Sequence, residues 1–382
     1  MTGIQESIGS GFALLSFVAT GFTVAAAVAV GASAKHSPPG LQRRRAVPVT
    51  ILKPLHLLEP GLEENLQSFL RQDYEGPIQI VFGASSQADP ALKIANALRH
   101  DFPEADIELV VASDPIVRNP KVANLINMVA HAKHEVLVVS DSDIRVRRDY
   151  VRRIVAALDE RQVGAVSLLY SGTPLGNIWS KLAAMNIDCH FFPNARLGIA
   201  LGLASPCFGS TIALPRQTLE EIGGFESLSN VLADDYELGR AVRARGYRVA
   251  IPEYTVEHVC SETNALALFR QELRWAKTNL LLARIGYIGS VVTYPLPLAL
   301  LAVLFQGLTA LSLSAFAWAL ASRVFLLFKS GRRLGSRSGY IWLLPLRDVL
   351  SFFVYLASFF GKTVDWRGHR FATRADGELA PV

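Results

Sequence analysis

The sequence predicts an α/β domain on a doubly wound parallel sheet, held between apolar membrane segments at the two ends of the chain. Three observations predict it. Short β-branched runs alternate with helical patterns through the middle, charge-free stretches bracket that region, and an Asp-Ser-Asp triplet, Asp141 to Asp143, closes the fourth β-branched run. Composition agrees: 51% hydrophobic and 19% charged residues are too apolar for an ordinary soluble enzyme. The excess sits at the ends, and residues 46–285 have the balance of a normal globular domain.

From residue 8 to residue 34 the chain carries no charge. That run of ~27 residues is long enough to cross a ~30 Å hydrocarbon core with tilt. Lys35, His36 and Arg43-Arg44-Arg45 follow it, and Glu6 alone precedes it. A cleaved signal peptide has its cations first, so the order predicts an uncleaved anchor with its carboxyl end in the cytoplasm.

Strands are predicted over 47–52, 78–83, 107–112 and 135–140, with helices over 62–72, 90–100 and 121–133 between them. Such alternation is the mark of crossover connections and hence of parallel strands. Further strands fall at 165–170 and 247–251, and Asp234-Asp235 opens a helical pattern that runs to Arg245 and stops at Gly246.

Residues 288–328 are apolar apart from Arg323, enough for two helices of ~20 residues packed as a hairpin, with Pro295 and Pro297 kinking or starting the first. The basic loop 329–337 follows and places both ends of the hairpin in the cytoplasm. A third apolar stretch, 340–360, contains Arg347 and Asp348 and leads to a tail with Lys362, Arg367, His369, Arg370 and Arg374. Spanning would export that tail, so a re-entrant or interfacial segment is predicted. The division is an anchor and basic linker (1–45), a cytoplasmic α/β domain (46–285) and a membrane region with its tail (286–382). The net charge of +5 suits a membrane surface better than nucleic acid. Cys189, Cys207 and Cys260 have no paired spacing and predict neither a disulfide framework nor a metal site. Nothing in the sequence specifies an oligomeric state.

The Asp141–Asp143 triplet stands at the carboxyl end of a strand, where open α/β sheets bind nucleotides. Two hard oxygen donors there suit a Mg²⁺ or Mn²⁺ ion shared with a diphosphate, although an isolated triplet is also a common turn. At Asp234-Asp235 one carboxylate suffices to start a helix, leaving the other for general base work on a hydroxyl. Gln271, Arg274 and Trp275 share one helical face. Arg can bind a diphosphate with two parallel bonds and Trp can form an apolar platform, while the same residues also suit a membrane interface. The small-residue stretches Ser205 to Thr211 and Gly223-Gly224-Phe225 are turns that let backbone approach a ligand. His190, beside Phe191 and Phe192, is either a packed core histidine or part of an acceptor entrance.

Taken in order, these motifs resemble the membrane-bound inverting glycosyltransferases of GT-A fold, and among them the ceramide glucosyltransferase family. The matching stretches are Lys53-Pro54-Leu55, Asn119-Pro120-Lys121 to Asn124-Leu125, Asp141 to Val146, Ala233 to Tyr236, Arg274-Trp275 and Trp366-Arg367-Gly368. The likeness runs from about residue 45 to 375 and is most marked to bacterial members associated with hopanoid biosynthesis. The resemblance implies an inner-membrane enzyme that transfers N-acetylglucosamine from its UDP derivative to a hopanoid polyol such as bacteriohopanetetrol. It implies that Asp141 and Asp143 hold the diphosphate and its metal, that Asp235 is the base, and that Lys53 and Lys121 face the nucleotide. Gln271, Arg274 and Trp275 would close over the leaving group and acceptor, with Asp234 on the acceptor side. Where the family has an aspartate after the second strand this chain has Ser85-Ser86, with Asp89 as the substitute. The competing expectations are a ceramide glucosyltransferase using UDP-glucose and an inactive lipid-binding scaffold. A processive polysaccharide synthase would need more membrane segments than this chain has.

Overall fold

The computed structural model describes residues 3–32, 46–111, 118–335, 340–361, 363–366, 369–373 and 379–381. The basic flank Lys35, His36 and Arg43–Arg45, the loop end at 336–337, and Lys362, Arg367, Gly368 and Arg374 lie outside the described residues. Helix α1 (Gly3–Gly31) covers the stretch read as an anchor.

The first half of the sheet follows the predicted order: β1 (Val49–Pro54), α2 (Leu62–Leu70), β2 (Ile78–Ala84), α3 (Ala91–Asp101), β3 (Asp106–Val111), α4 (Pro120–Val129) and β4 (Val136–Ser140). Strands β1 to β4 pair in parallel, with Leu52 opposite both Val81 and Val139. Their side chains alternate between two cores. Ile51 and Val138 pack with Phe69 and Tyr150 on one face, and Leu52 and Val139 pack with Leu125, Phe225 and Leu238 on the other.

The second half departs from the predicted parallel arrangement. After β5 (Ile144–Arg145) and α5 (Tyr150–Leu158), the strand expected at 165–170 divides into β6 (Val163–Ser167) and β7 (Leu169–Pro174), which belong to different sheets. Next come α6 (Ile178–Asn186), α7 (Phe192–Ala200), β8 (Thr211–Pro215), α8 (Arg216–Glu221), α9 (Asp234–Ala244), β9 (Arg248–Ala250) and β10 (Thr255–Cys260). The main sheet runs β3-β2-β1-β4-β8-β6-β9, with β8 antiparallel to both of its neighbours. Strand β8 escaped sequence analysis because its start lies in the small-residue stretch read as a turn. The smaller sheet, β5-β10-β7, sits over the carboxyl end of β4 and carries its loop: the amide of Val259 donates to the carbonyl of Asp143 at 2.8 Å.

Helix α10 (Ala265–Leu282) leads through α11 (Arg284–Gly289) to α12 (Pro295–Gln306), α13 (Ala310–Leu334) and α14 (Leu344–Ser358). Beyond them β11 (Thr363–Trp366), β12 (His369–Thr373) and β13 (Leu379–Pro381) form an antiparallel sheet. Among the described residues three helical stretches are long and apolar enough to cross a membrane, Gly3–Gly31, Ala310–Leu334 and Ile341–Ser358, or four if the bent pair Arg284–Thr293 and Pro295–Gln306 is one span. Their outer faces expose Leu14, Val18, Trp318, Phe325, Trp342 and Phe353, as a lipid-facing surface requires.

One expectation for the hairpin needs correction. The hairpin has unequal arms, because α12 has 12 residues, about 18 Å of helix, against 25 in α13. The 340–360 stretch is helical over Ile341–Ser358, and a bend of 69° falls between Arg284–Thr293 and Pro295–Gln306. Proline explains its position, since Pro295 and Pro297 have no N–H to continue the preceding turn.

The two ends of the chain pack together. Ala13 of α1 sits among Leu296, Ala299 and Ala302 of α12 and Ala315 and Ala319 of α13, small residues that let the backbones approach. A Cβ on Gly9 would lie 2.6 Å from the Cβ of Gln306, and the Ser16 hydroxyl donates to the carbonyl of Pro295 at 2.9 Å. Helix α12 therefore covers only the amino-terminal half of α1. The other half packs on the α/β domain, where Val30 meets Leu169 and Phe192.

Candidate active site

The Asp141–Asp143 loop is pinned from three sides. Lys53, buried near the carboxyl end of β1 with its ammonium 3.9 Å from the Phe69 ring centre, donates to the carbonyl of Asp141. Burial lowers its pKa to about 7, against the pull of Asp141, Asp143 and Glu59. Ser142 donates to Glu59 at 2.7 Å, and Asn65 donates to the Ser142 carbonyl at 3.3 Å. The two aspartates thus project from a fixed backbone.

Lys121 enters from the first turn of α4. Asn119 caps that helix, its side chain accepting from the amides of Lys121 and Val122, and Pro120 follows at the first helical position. A cation in a first helical turn opposes the helix dipole. Carboxylates compensate: the Lys121 ammonium lies 2.7 Å from Asp141 Oδ1 and 3.5 Å from Asp234 Oδ2. Burial works against its charge, but Asp141, Asp234 and Asp235 outweigh burial and hold its pKa above the ordinary value. Lys121 therefore joins the two acidic motifs into one cluster.

Neither member of the Asp234-Asp235 pair is used as the helix cap, which falls on Ala233. Asp235 is aimed by two amides instead: Gly209 donates to Oδ2 and Tyr236 to Oδ1, both at 2.8 Å. Each carboxylate oxygen keeps a second lone pair for a proton. A Cβ at Gly209 would stand 3.1 Å from Asp235 Oδ2 and 3.5 Å from the Lys121 ammonium, so this is the turn where glycine gives the carboxylate room. Gly223 and Gly224, at φ of 91° and 70°, only turn the chain so that Phe225 enters the core.

Burial, and then the charge of Asp234, raise the Asp235 carboxyl to about 6, with Lys121 pulling the other way. A general base works only when unprotonated. The expected kcat/KM therefore falls tenfold per pH unit below about pH 6, levels off above it, and belongs to the Asp234–Asp235 pair rather than to one residue. A profile flat down to pH 5 removes Asp235 from this role.

Gln271, Arg274 and Trp275 share one face of α10, and Arg274 Nη2 donates to Gln271 Oε1 at 3.1 Å. Trp275 meets His258 edge-on at 5.9 Å, and His258 Nδ1 lies 3.5 Å from Asp143 Oδ2, which links α10 to the Asp141–Asp143 loop. Sequence reasoning missed His258 and Tyr170. The Tyr170 ring packs 5.6 Å from His258 and stacks on Phe191 at 4.5 Å. Burial, then Asp235 and Asp143, push its phenol pKa up. No local signal marked His258, since β10 reads Thr-Val-Glu-His-Val-Cys and only its register places His258 opposite Ile144, directly after the aspartates.

Three predicted residues lie apart from this cluster. Asp89 accepts from the amides of Leu57 and Ala91, holding the β1–α2 loop and the start of α3, and Ser86 is exposed, accepting from the Ala88 amide at 3.2 Å. His190 packs 4.8 Å from the Tyr294 ring centre, with its ring nitrogens 3.4 Å from Thr293 Oγ1 and Asn194 Nδ2. Burial, then Arg323 and Arg347, lower its pKa to about 3, as befits a neutral packed ring. Cys189, Cys207 and Cys260 are buried free thiols.

Among the described residues no group of three or more His, Cys, Asp or Glu side chains forms a metal cage. Asp143 Oδ1 is nevertheless buried without a hydrogen-bond partner, beside Asp141. An orphaned carboxylate oxygen next to a second carboxylate fits a hard cation that takes its other ligands from water and a diphosphate.

Comparison with known proteins agrees with this architecture. Residues 12–379 match the family described as glycosyl transferase family 21. Ceramide glucosyltransferase 3 of Caenorhabditis elegans is 23% identical over 358 residues, covering 87% of this chain and 74% of that protein. The beta-monoglucosyldiacylglycerol synthase of a Synechocystis strain is 26% identical over 221 residues, 56% of this chain and 43% of that protein. Among solved structures, a mannosyltransferase from Pyrobaculum calidifontis in complex with GDP-Man and Mn²⁺ superposes with a TM-score of 0.55 at 20% identity, covering 93% of this chain and 99% of that one. That likeness establishes the GT-A-like fold.

Proposed function

The chain belongs to glycosyl transferase family 21 and is a glycosyltransferase, and from that premise we propose that it moves a sugar from a UDP-sugar to the hydroxyl of a membrane lipid with inversion at the anomeric carbon. The donor we favour is UDP-N-acetylglucosamine and the acceptor a hopanoid polyol, on the cytoplasmic face of a bacterial inner membrane. One observation carries the reading: Lys121 draws Asp141 and Asp234 into one cluster beside Asp235, an amide-aimed carboxylate of raised pKa. The C. elegans and Synechocystis relatives are named for lipid acceptors, which supports the acceptor class.

In this reading Asp235 takes the proton of the acceptor hydroxyl, which attacks the anomeric carbon from the face opposite the diphosphate. Lys121 and Arg274 meet the charge that gathers on the leaving group, and the Gln271 amide holds the Arg274 guanidinium in place. Asp141 and Asp143 would hold a Mg²⁺ or Mn²⁺ ion, which when bound stabilises the departing diphosphate. Trp275, His258 and Tyr170 form an aromatic wall over the carboxylates, and there an apolar acceptor body or a sugar ring finds a surface. Lys53 lies beneath the loop that holds the aspartates and sets their position rather than touching the sugar.

A side-by-side assay in vesicles tests the specificity. UDP-N-acetylglucosamine and UDP-glucose are each offered with a hopanoid polyol and with ceramide. The expected product is an N-acetylglucosaminyl hopanoid, with ceramide a poor acceptor. Efficient ceramide glucosylation without hopanoid product would replace this proposal with its nearest rival.

A further inference from the structure

The buried stripe of α10 is Leu268, Glu272 and Ala276, one turn apart and about 100° round the helix from the face that carries Gln271, Arg274 and Trp275. A glutamate in the middle of such a stripe calls for an explanation. Its partner is Arg347, from within the apolar α14: Nη1 and Nη2 each donate to a Glu272 oxygen at 2.7 Å, and the two residues are 1% and 4% exposed. The same guanidinium donates through Nη1 to the Leu182 carbonyl of α6 at 3.1 Å and through Nε to the Ser351 hydroxyl at 3.1 Å. Four bonds from one side chain fix three helices.

The neighbouring position repeats the device. Asp348 accepts two bonds from Arg323 of α13, at 2.7 and 2.6 Å, and Arg323 Nη1 donates to the Cys189 carbonyl at 2.9 Å. Pro193 explains why that carbonyl is available, because it has no N–H to give back to residue 189, and the helical path opens there into a π turn over Ile187–Phe191. Adjacent residues on a helix point about 100° apart, so α14 is held toward α10 by Arg347 and toward α13 by Asp348.

A buried ion pair is a poor source of stability: well-packed apolar residues of similar volume serve as well or better, and the best-attested use of buried charge is to select one register. We infer that Arg347 and Glu272 are positioning residues, which lock α10 against the membrane helix α14 in the rotation that presents Gln271 and Arg274 to the leaving diphosphate. The inference rests on the proposal that these two residues meet that diphosphate. A one-residue slip of α10 would turn them away by about 100° while bringing Phe269 and Leu273 to the buried side.

The test is the double variant Glu272→Met/Arg347→Met in the full-length protein in detergent. It leaves no unpaired buried charge, so the expected melting temperature is within a few degrees of wild type. UDP affinity is expected to fall at least tenfold, and kcat with it. Arg347→Lys, which keeps the charge but loses the fork, should lie between the two. Arg274→Ala in the otherwise wild-type protein is the reference. If Arg274→Ala weakens UDP binding and the folded double variant binds UDP as wild type does, the positioning role is wrong and the reading of Arg274 stands. If neither changes UDP affinity, the reading of α10 falls and takes the inference with it. A double variant that melts at the wild-type temperature with weakened UDP binding supports the inference, since a purely structural pair would move the first quantity and spare the second.

Discussion

Asp235→Asn should lower transfer by about a thousandfold and leave UDP-sugar affinity within a factor of two or three of wild type. General base catalysis contributes on the order of 10² to 10⁴ in rate, and Asp235 is placed to supply all of it. Its two oxygens are aimed by the amides of Gly209 and Tyr236, and burial together with Asp234 brings its pKa to about 6, close to where a base should sit. Asparagine fits the same space but has no basic oxygen, and its NH₂ would face one of the two amides donor to donor. A modest loss of stability is therefore expected, roughly 1–3 kcal/mol for the amide left without an acceptor. Melting temperature and nucleotide affinity separate that loss from the chemical one. A variant that turns over within tenfold of wild type would return the base role to Asp234 or to another group.

Chelation should abolish turnover, and Mg²⁺ or Mn²⁺ should restore it. Asp143→Ala should weaken UDP binding at least tenfold in the presence of metal and have little effect in its absence. The argument is the orphaned Oδ1 of Asp143, which among the described residues has no hydrogen-bond partner although it is buried beside a second carboxylate. Leaving a charged acceptor unsatisfied costs roughly 1–3 kcal/mol or more, and a shared cation removes that cost. Lys121 does not replace the cation here, because it engages Asp141 and Asp234 and its shortest approach is to Asp141 Oδ1 at 2.7 Å. Full activity in excess chelator would mean that Lys121 and Arg274 alone carry the diphosphate charge.

The first half of the domain was legible because each strand is a continuous β-branched run and each crossover helix has its own start signal, such as Asn119-Pro120 before α4. The acidic motifs were legible for a local reason as well: in each, two carboxylates fall within three residues at a strand or helix end. The second half was not, because its order is set by pairing at a distance. Strand β8 runs antiparallel between β4 and β6, and a change of sheet at Leu168 splits what looks like one strand, neither of which has a local signature. His258 was invisible for the same reason. Its role comes from the register of β10 beside Ile144, not from its neighbours in sequence. Arg323, Arg347 and Asp348 were seen as interruptions of apolar stretches, while the partners that explain them lie up to 165 residues away in the chain.

The half-length of α12 bears on how a water-insoluble acceptor reaches a water-soluble donor. Lifting a lipid out of a bilayer costs about 0.8 kcal/mol per methylene, which for a long chain is a barrier no binding pocket would readily repay. Because α12 stops at the level of Ser16, the lower half of α1 is left for α7 and the residues around Phe192, and the α/β domain sits into the space a full-length helix would have filled. Leu201 and Leu203, just past α7, and Ile285 and Ile288 of α11 are exposed apolar side chains. For the lipid acceptor proposed here, arrival then becomes a two-dimensional search: the molecule diffuses sideways with its hydrocarbon still immersed and offers only its hydroxyl end. Turnover would accordingly track the mole fraction of acceptor within the bilayer, not its concentration in the vessel, and diluting the membrane with inert lipid would slow the enzyme where adding buffer would not.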